Sequence, residues 1–546
     1  MKPPRSLAVA ALRLARREAF ASHARRRSLG AGSPPRGGRV GRGTVPADCS
    51  SPPTSACGVR AAGACCGPAK SDPRKTLVGS SACAVIAVVL SACTTLVPPY
   101  ERPEVPTQAV SFKEAPSTPG WAAAHPADEQ PRGPWWRPFG DAPLNELLSQ
   151  VEVSNQNVAA AVARYAAAQA IVSGQQAQLW PSAQLTASAN RSGGGGVAGA
   201  LTGRGTQLRA EVGASWEPDL WGRLGAGVSQ AQASAQASAA DLAGAMLSAQ
   251  AALATAYFNL READAELQLL RDTVAGFERS LQITNNRYAA GQAARTDVLQ
   301  AETQLANTRA DVVALTTQRQ QFEHAIAVLL GRAPADFSLA PASWTTTVPE
   351  LPPTLPSELL QRRPDIASAE RAVAAANANI GIARAAYYPS FALSASGGAA
   401  ATRIGDLLNA SNTIWSLGLS VAQILFDGGA LNAALKNAEA SRDITIATYR
   451  QTVLTAFQSV EDLLAQRRGL NEQLALRQQA SVAADQTEQQ VLNRYRAGQV
   501  SYTDVVTAQT SALSARRTVV QLQAALQANA IALIQALGGG WMADAA

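Results

Sequence analysis

The chain repeats itself. The run Arg287-Tyr288-Ala289-Ala290-Gly291-Gln292, with Thr296-Asp297-Val298 and Ala301 after it, recurs as Arg494-Tyr495-Arg496-Ala497-Gly498-Gln499, with Thr503-Asp504-Val505 and Ala508 after it. The offset is constant (494 − 287 = 207), so every intervening spacing is kept. Self-similarity at a fixed period makes the chain two copies of one structural unit, and any local reading has to hold twice. In each copy a long periodic run ends in Arg-Tyr, breaks at a glycine able to take positive φ, and restarts at a Thr-Asp pair suited to capping. Each copy therefore reads as a helical hairpin with a tight tip.

Aromatic residues make up only 5% of the 546 residues, and alanine and glutamine abound, which favours long helices over a thick globular core. The net charge of +7 would suit nucleic acid or acidic lipid. The excess is confined to residues 1–92, which carry 15 Lys+Arg against 3 Asp+Glu. Beyond them 32 basic residues face 37 acidic ones (47 − 15 and 40 − 3), and a nucleic-acid partner loses its support. Cysteine is partitioned the same way: Cys49, Cys57, Cys65, Cys66, Cys83 and Cys93 are all six, so the body after Cys93 has neither a disulfide framework nor a thiolate metal site.

Lys70, Arg74 and Lys75 precede an apolar run from Ala82 to Leu90 that closes in Leu90-Ser91-Ala92-Cys93. Basic lead, short apolar core and small residues before a cysteine make a secretory signal, and the run is too short to span a bilayer. It is similar to a bacterial lipoprotein signal, which implies cleavage before Cys93 and acylation of that residue by diacylglycerol and a fatty acid. Thr94, in place of aspartate, matches lipoproteins sorted to the outer membrane. The competing reading is a chance Ser-Ala-Cys after an apolar stretch. Residues 1–69 fit no signal peptide and read as a spurious or disordered extension.

From residue 93 to about 140 the prolines come often, so this stretch reads as an extended tether that cannot be helical, ending in Trp135-Trp136-Arg137-Pro138-Phe139. The first repeat, 141–331, reads as a helix from Asp141 to Trp180, a β-hairpin over 182–217, a long helix to about Tyr288, the tip at 287–297 and a closing helix. The second, 358–537, reads as a helix from Pro364, a hairpin over 389–425, a long helix, the tip at 494–504 and a closing helix. Residues 332–357 form a Pro- and Thr-rich connector that belts the helices, and 538–546 are a tail. The hairpins are recognised by period two. Leu208, Ala210, Val212, Ala214 and Trp216 alternate with Gln207, Arg209, Glu211 and Ser215; Phe391, Leu393 and Ala395, then Trp415, Leu417, Leu419 and Val421, alternate with serines and glycine.

Four strands with one oily and one wet face could form an ordinary antiparallel sheet resting on a core. Yet nothing in the pattern covers the wet face, and both hairpins interrupt very long helices. In lipid an open sheet edge is prohibitive, so strands there close into a barrel, and known barrels start at about eight strands. A chain with four has to share the barrel with copies of itself, and three copies give twelve.

Four sets of residues now carry a resemblance: the two Arg-Tyr-x-Ala-Gly tips, Trp216-Glu-Pro-Asp-Leu-Trp-Gly-Arg223, Arg362-Arg363-Pro364-Asp365-Ile366 with Glu370, and Leu425-Phe426-Asp427-Gly428-Gly429. From about Cys93 to Leu537 the chain resembles TolC-type outer membrane factors, in their lipoprotein branch (OprM- or NodT-like). The resemblance implies a mainly α fold with membrane β: a homotrimer whose twelve-stranded β-barrel continues into a long periplasmic α-helical barrel built from two tandem repeats. It implies a passive exit duct in the bacterial outer membrane for drugs or other small toxic compounds, served by a periplasmic adaptor and an inner-membrane RND-type transporter. It places a periplasmic gate at Asp297, Asp504, Tyr288 and Tyr495. The adaptor is expected at Arg287, Gly291, Arg494 and Gly498. Asp297 and Asp504 also fit plain helix capping, Gly291 and Gly498 plain turn geometry, and Arg287 and Arg494 either pairing across the tip or solvated charge. Thr507 stands where some family members carry a second acid.

No catalytic constellation is expected. His23, His125 and His324 are far apart, and the Gly193–Gly196 run lacks a helix start to hold phosphate, so the expectation is a non-enzyme without cofactor or metal. Two other classes fit less well: a type I protein-secretion duct, disfavoured by the lipobox, and a non-channel envelope lipoprotein, disfavoured by the alternating strands.

Overall fold

The computed structural model describes residues 96–104, 112–113, 133–192, 205–349 and 362–539. Cys93 and its signal, the Gly193–Gly196 loop, the connector residues 350–361 and the last residues of the tail lie outside these.

Each repeat is a helix, a β-hairpin, a 67-residue helix and a 35-residue helix. The first repeat comprises α1 (Ala142–Ser154), α2 (Gln156–Ala177), β1 (Ser182–Ser192), β2 (Gly205–Trp216), α3 (Arg223–Ala289) and α4 (Arg295–Leu329). The second comprises α5 (Pro364–Ala385), β3 (Ser390–Ala401), β4 (Thr413–Ala422), α6 (Ala430–Arg496) and α7 (Tyr502–Ala536). At about 1.5 Å per residue, α3 and α6 each run for about 100 Å. α2 and α5, 22 residues each, lie beside their upper parts, and α4 and α7 beside their lower parts.

The first helix departs from the expected single run. It breaks at Asn155, whose carboxamide oxygen accepts from the Asn157 and Val158 amides (2.9 and 3.2 Å) while its Nδ2 donates to the Leu329 carbonyl (2.7 Å). A side chain that caps one helix start and the end of α4 together outweighs one helical turn. The tether is not wholly extended either, since Arg137–Phe139 make one 3-10 turn closed by Gly140 in the left-handed region.

Both long helices start on an aspartate two or more residues upstream. Asp219 accepts from the Leu224 and Gly225 amides (3.0 and 2.6 Å), and Asp427 from those of Gly429 and Leu431 (2.8 and 2.6 Å). These two positions are 208 apart, and they explain why Trp216–Arg223 and Leu425–Gly429 stand out in the sequence: they turn a strand into a helix. The four backbone donors at a helix start need acceptors, and a carboxylate is the strongest available. Those two bonds hold the Asp427 carboxyl below the usual carboxylate range. In the same way Arg363 of the Arg-Arg-Pro-Asp motif donates to the Ala536 carbonyl (2.9 Å) at the end of α7.

The main core lies at the equator. There Trp136, Phe139, Leu144 and Leu148 pack on Leu253, Tyr257 and Phe258 of α3 and on Ile326 of α4. The Tyr257 hydroxyl donates to Asp141 (2.8 Å), and burial pushes that phenol up to about 12. Below it a buried ionic cluster crosses from helix to helix: Asp264 takes Arg261 of α3 (2.9 Å) and Arg319 of α4 (2.6 Å). The connector wraps this level, with the Arg261 guanidinium donating to the Ala340 carbonyl (2.9 Å) and Gln527 of α7 to that of Thr345 (2.6 Å). α7 is long and apolar enough by composition to cross a membrane, but half of its apolar window is consumed by packing inside the bundle.

Candidate functional site

Two regions at opposite ends of the long helices carry the functional geometry. At one end the four strands form a single antiparallel sheet in the order β1-β2-β3-β4. Its register aligns Leu185, Val212, Gly397 and Trp415 in one row and Ala187, Ala210, Ala399 and Thr413 in the next. All the apolar alternates therefore fall on one face. Leu185, Trp415 and Leu417 on it are 75%, 80% and 77% exposed, so none of the described residues covers them. The other face carries Gln184, Thr186, Ser188, Gln207, Ser394, Ser396, Ser416 and Ser420, with an Arg209–Glu211 ion pair (2.8 Å).

Strands of 10 to 12 residues suit a tilted crossing of the hydrocarbon layer, which needs about 9–11. Trp180, Trp216, Trp221, Tyr387 and Tyr388 collect where the helices meet the strands, as amphipathic rings do at a membrane surface. Trp221 donates to the Pro389 carbonyl (2.7 Å) and stacks on Tyr388 (4.9 Å). Among the described residues β1 and β4 each have one unpaired edge. An unmatched backbone group costs several kcal/mol in lipid, so these edges cannot stay open there.

At the other end α3–α4 and α6–α7 make the two tips. Each closes in the same way: Gly291 and Gly498, at φ +71° and +75°, let the Gln292 and Gln499 amides reach back to the Arg287 and Arg494 carbonyls (2.8 and 2.9 Å). A side chain at that φ would be strained, hence glycine twice. The helices that follow start from Ala294 and Ser501, two residues before the expected Thr-Asp pair; the Ser501 hydroxyl oxygen accepts from the Asp504 amide (3.3 Å), and Ala294 has no side chain to do the same. Asp297 and Asp504 sit three residues in and accept from the Ala294 and Ser501 amides (3.4 and 3.0 Å). Asp504 also takes the Ser501 hydroxyl (2.7 Å). Capping, then, is a role both carboxylates fill; Asp504 is also exposed to solvent, and Asp297 partly so.

The equivalent tyrosines and arginines behave differently in the two tips. Tyr288 is 45% exposed, whereas Tyr495 is 5% exposed and packs edge-on against Tyr502 (5.5 Å). Arg287 crosses from the first tip to the second: its Nη1 donates to the Tyr495 carbonyl, and its guanidinium lies over the Tyr495 ring at 4.6 Å. Thr284 meets the Tyr495 hydroxyl at 3.3 Å. Arg494, its counterpart, is exposed. Burial, then the nearby Tyr495 and Asp297, push the Tyr502 phenol up to about 12. Tyr502 carries a signal in the sequence: position 295 is arginine where 502 is tyrosine, one of several breaks between the paired tips, and the tip with the tyrosine is the one filled by aromatic packing.

A sheet with two bare edges, oily outside and wet inside, set on a helical wall with a polar tip, defines one subunit of a closed multi-chain membrane duct. Comparison with known proteins agrees. The outer membrane efflux protein family matches residues 147–332 and 355–539. The chain is 31% identical to the toluene efflux pump outer membrane protein TtgC of Pseudomonas putida, over 84% of its own length and 95% of that protein. It is 30% identical to the cation efflux system protein CusC of Escherichia coli, over 83% and 98%. The solved structure of the outer-membrane channel OprN superimposes with a TM-score of 0.74 at 30% identity, covering 82% of this chain and all of that one.

The chain belongs to the outer membrane efflux protein family. It is an outer membrane exit channel for efflux pumps, a trimer in which each chain lends four strands to a twelve-stranded barrel that continues into a helical one.

Proposed function

We propose that the paired tips are the periplasmic gate of this channel, with Asp297, Asp504, Tyr288 and Tyr495 as its residues, and that Arg287, Gly291, Arg494 and Gly498 present the tips to a periplasmic adaptor. The observation that carries this reading is the Arg287 bridge, which ties the first tip to the second. The bridge is also incompletely satisfied, because the buried Arg287 Nε has no acceptor. An anchor with one unpaired donor gains less than a complete one, which lowers the cost of releasing the tips. Three copies bring three Asp504 carboxylates, and with them three Asp297, near one axis, which favours cations while the tips are together.

The duct acts passively, without catalysis or cofactor, and an inner-membrane RND-type transporter does the work. The cargo is a small toxic compound. Among the described residues, the wet face of the strands offers neutral side chains and one internally compensated ion pair, which suits a conduit without strong preference. Relatives named for toluene and for cations share this fold.

Cys93 is the lipid anchor. Val97 lies against Gly381, where a Cβ would come within 2.5 Å of the valine Cγ2, four residues before α5 ends at Ala385 and close to the start of β3. Four residues reach at most about 14 Å, enough for Cys93 to meet the membrane at the base of the sheet.

Planar-bilayer recording of the purified trimer tests the gate. The wild type is expected to show small conductance steps, and Asp504→Ala and Arg287→Ala severalfold larger ones, with sensitivity to bulky antibiotics in cells. Unchanged steps in both variants would refute the gate.

A further inference from the structure

The junction between strands and helices is built twice within one chain, and only one of the two copies is complete. At the β2–β3 boundary the ring of Tyr388, just before Pro389, is covered by Trp221 from the β2–α3 connection, whose Nε1 also holds the Pro389 carbonyl. The repeat puts Trp180 and Pro181 where Tyr388 and Pro389 stand (388 − 180 = 208). Trp180 is 75% exposed, although its backbone is held by the Trp216 Nε1–H, which donates to the Leu179 carbonyl (3.0 Å). The connection that should cover it belongs to the strand beyond β1, and within this chain there is none. The matching connection, β4–α6, carries Ile424, Leu425 and Phe426 at 57%, 90% and 90% exposure. Glycines occupy the place of Trp221 there, and Phe426 is the only aromatic.

We infer that Trp180 of each protomer is clasped by the Ile424–Phe426 segment of its neighbour, an apolar lock sealing the β1–β4 seams of the barrel. The inference rests on the trimeric barrel, and the register gives it a location. A line across the sheet from Ser182 passes Ser215 and Ser394 and reaches Gly418, four residues above the end of β4 (422 − 418 = 4). Threefold symmetry puts the neighbour's Ser182 at the height of this one, so the tilt of the strands carries its partner on β4 beyond Gly418 towards the end of the strand. Oily faces meet only if the total climb is even. A tilt of about 35–45° in twelve strands is a climb of about four to six residues per protomer, which puts the neighbour's Trp180 between Ile424 and Phe426. The bare apolar side chains stand at that level. Lipid alone would cover them as a hydrocarbon surface, but the seam leaves no gap for it between paired strands.

The body after Cys93 has no cysteine, so introduced pairs report cleanly. Trp180→Cys combined with Phe426→Cys, and separately with Ile424→Cys, is expected to give reducible dimer and trimer bands under mild oxidation, with no such bands from the single variants. Intact trimers that link in neither pair, or only within a chain, would overturn the clasp and leave lipid as the cover. A protein that is monomeric in mild detergent would overturn both the clasp and the trimer beneath it. Because cysteine could disturb the fold, Trp180→Ala, Phe426→Ala and their combination are compared by the temperature at which the trimer dissociates in SDS. The double variant should lose no more than the larger single loss; additive losses would also overturn the clasp.

Discussion

Arg287 and Arg494 occupy equivalent places in sequence, and only one of them bridges the tips. Arg287 reaches the Tyr495 carbonyl and ring because Tyr495, with Tyr502 beside it, is turned inward, while Tyr288 is turned out. A guanidinium can stack and donate at once, which a lysine ammonium cannot do in the same geometry. We therefore expect Arg287→Lys to raise single-channel conductance nearly as much as Arg287→Ala, and Arg494→Ala to leave it near wild type. Equal effects at the two arginines would show that the bridge does not set the gate. Asp264 is a different case. Its side chain is 3% exposed between Arg261 and Arg319, and removing one partner of a buried ionic cluster strands the others. Asp264→Ala should destabilise the helical barrel by about 3–5 kcal/mol, read as loss of helical circular dichroism at lower guanidinium concentration.

Among the elements, α3 is the one on which the others converge, contacting α1, α2, α4, α5 and α7. Its equatorial turn carries Glu262, whose carboxyl is pushed up to about 7, first by burial and then by Glu266 one turn on. A folded-state value above the unfolded one means that the folded protein holds the proton more tightly. That contribution to stability is present below about pH 4.5 and is lost as pH rises through 7. Glu262→Gln, neutral at every pH, should match the wild type in thermal stability at pH 4.5 and exceed it at pH 8; an equal gain at both would place the effect elsewhere. One side chain serves α2 and α4 together, so Asn155→Ala should cost about 1–2 kcal/mol, above the usual price of a lone cap.

For the whole molecule, two bare edges and a sheet of opposed faces make the trimer the unit of stability, and a folded monomer in lipid would carry unmatched backbone groups along β1 and β4. On the proposed reading, lipid on Cys93 would add anchoring rather than closure. Cys93→Ala should lose the acyl mass by intact mass spectrometry and still form trimers with full β-signal; a variant that no longer trimerises would give the anchor a role in assembly.

Period and repeat were legible from residues alone. Alternation over Leu208–Trp216 and Trp415–Val421 assigned the faces of the sheet, and the 207-residue offset assigned two tips, because the direction a side chain takes from its own backbone is a local property. Which of two equivalent side chains is buried is not local. Tyr495 is covered and Tyr288 is not, Asn155 interrupts a helix that its neighbours would continue, and Asp219 and Asp427 turn out to start the long helices. Each of these depends on a group more distant in sequence or on a bend in the backbone, such as Arg287, the Leu329 carbonyl or the strand-to-helix turn, and only the packed chain brings them together.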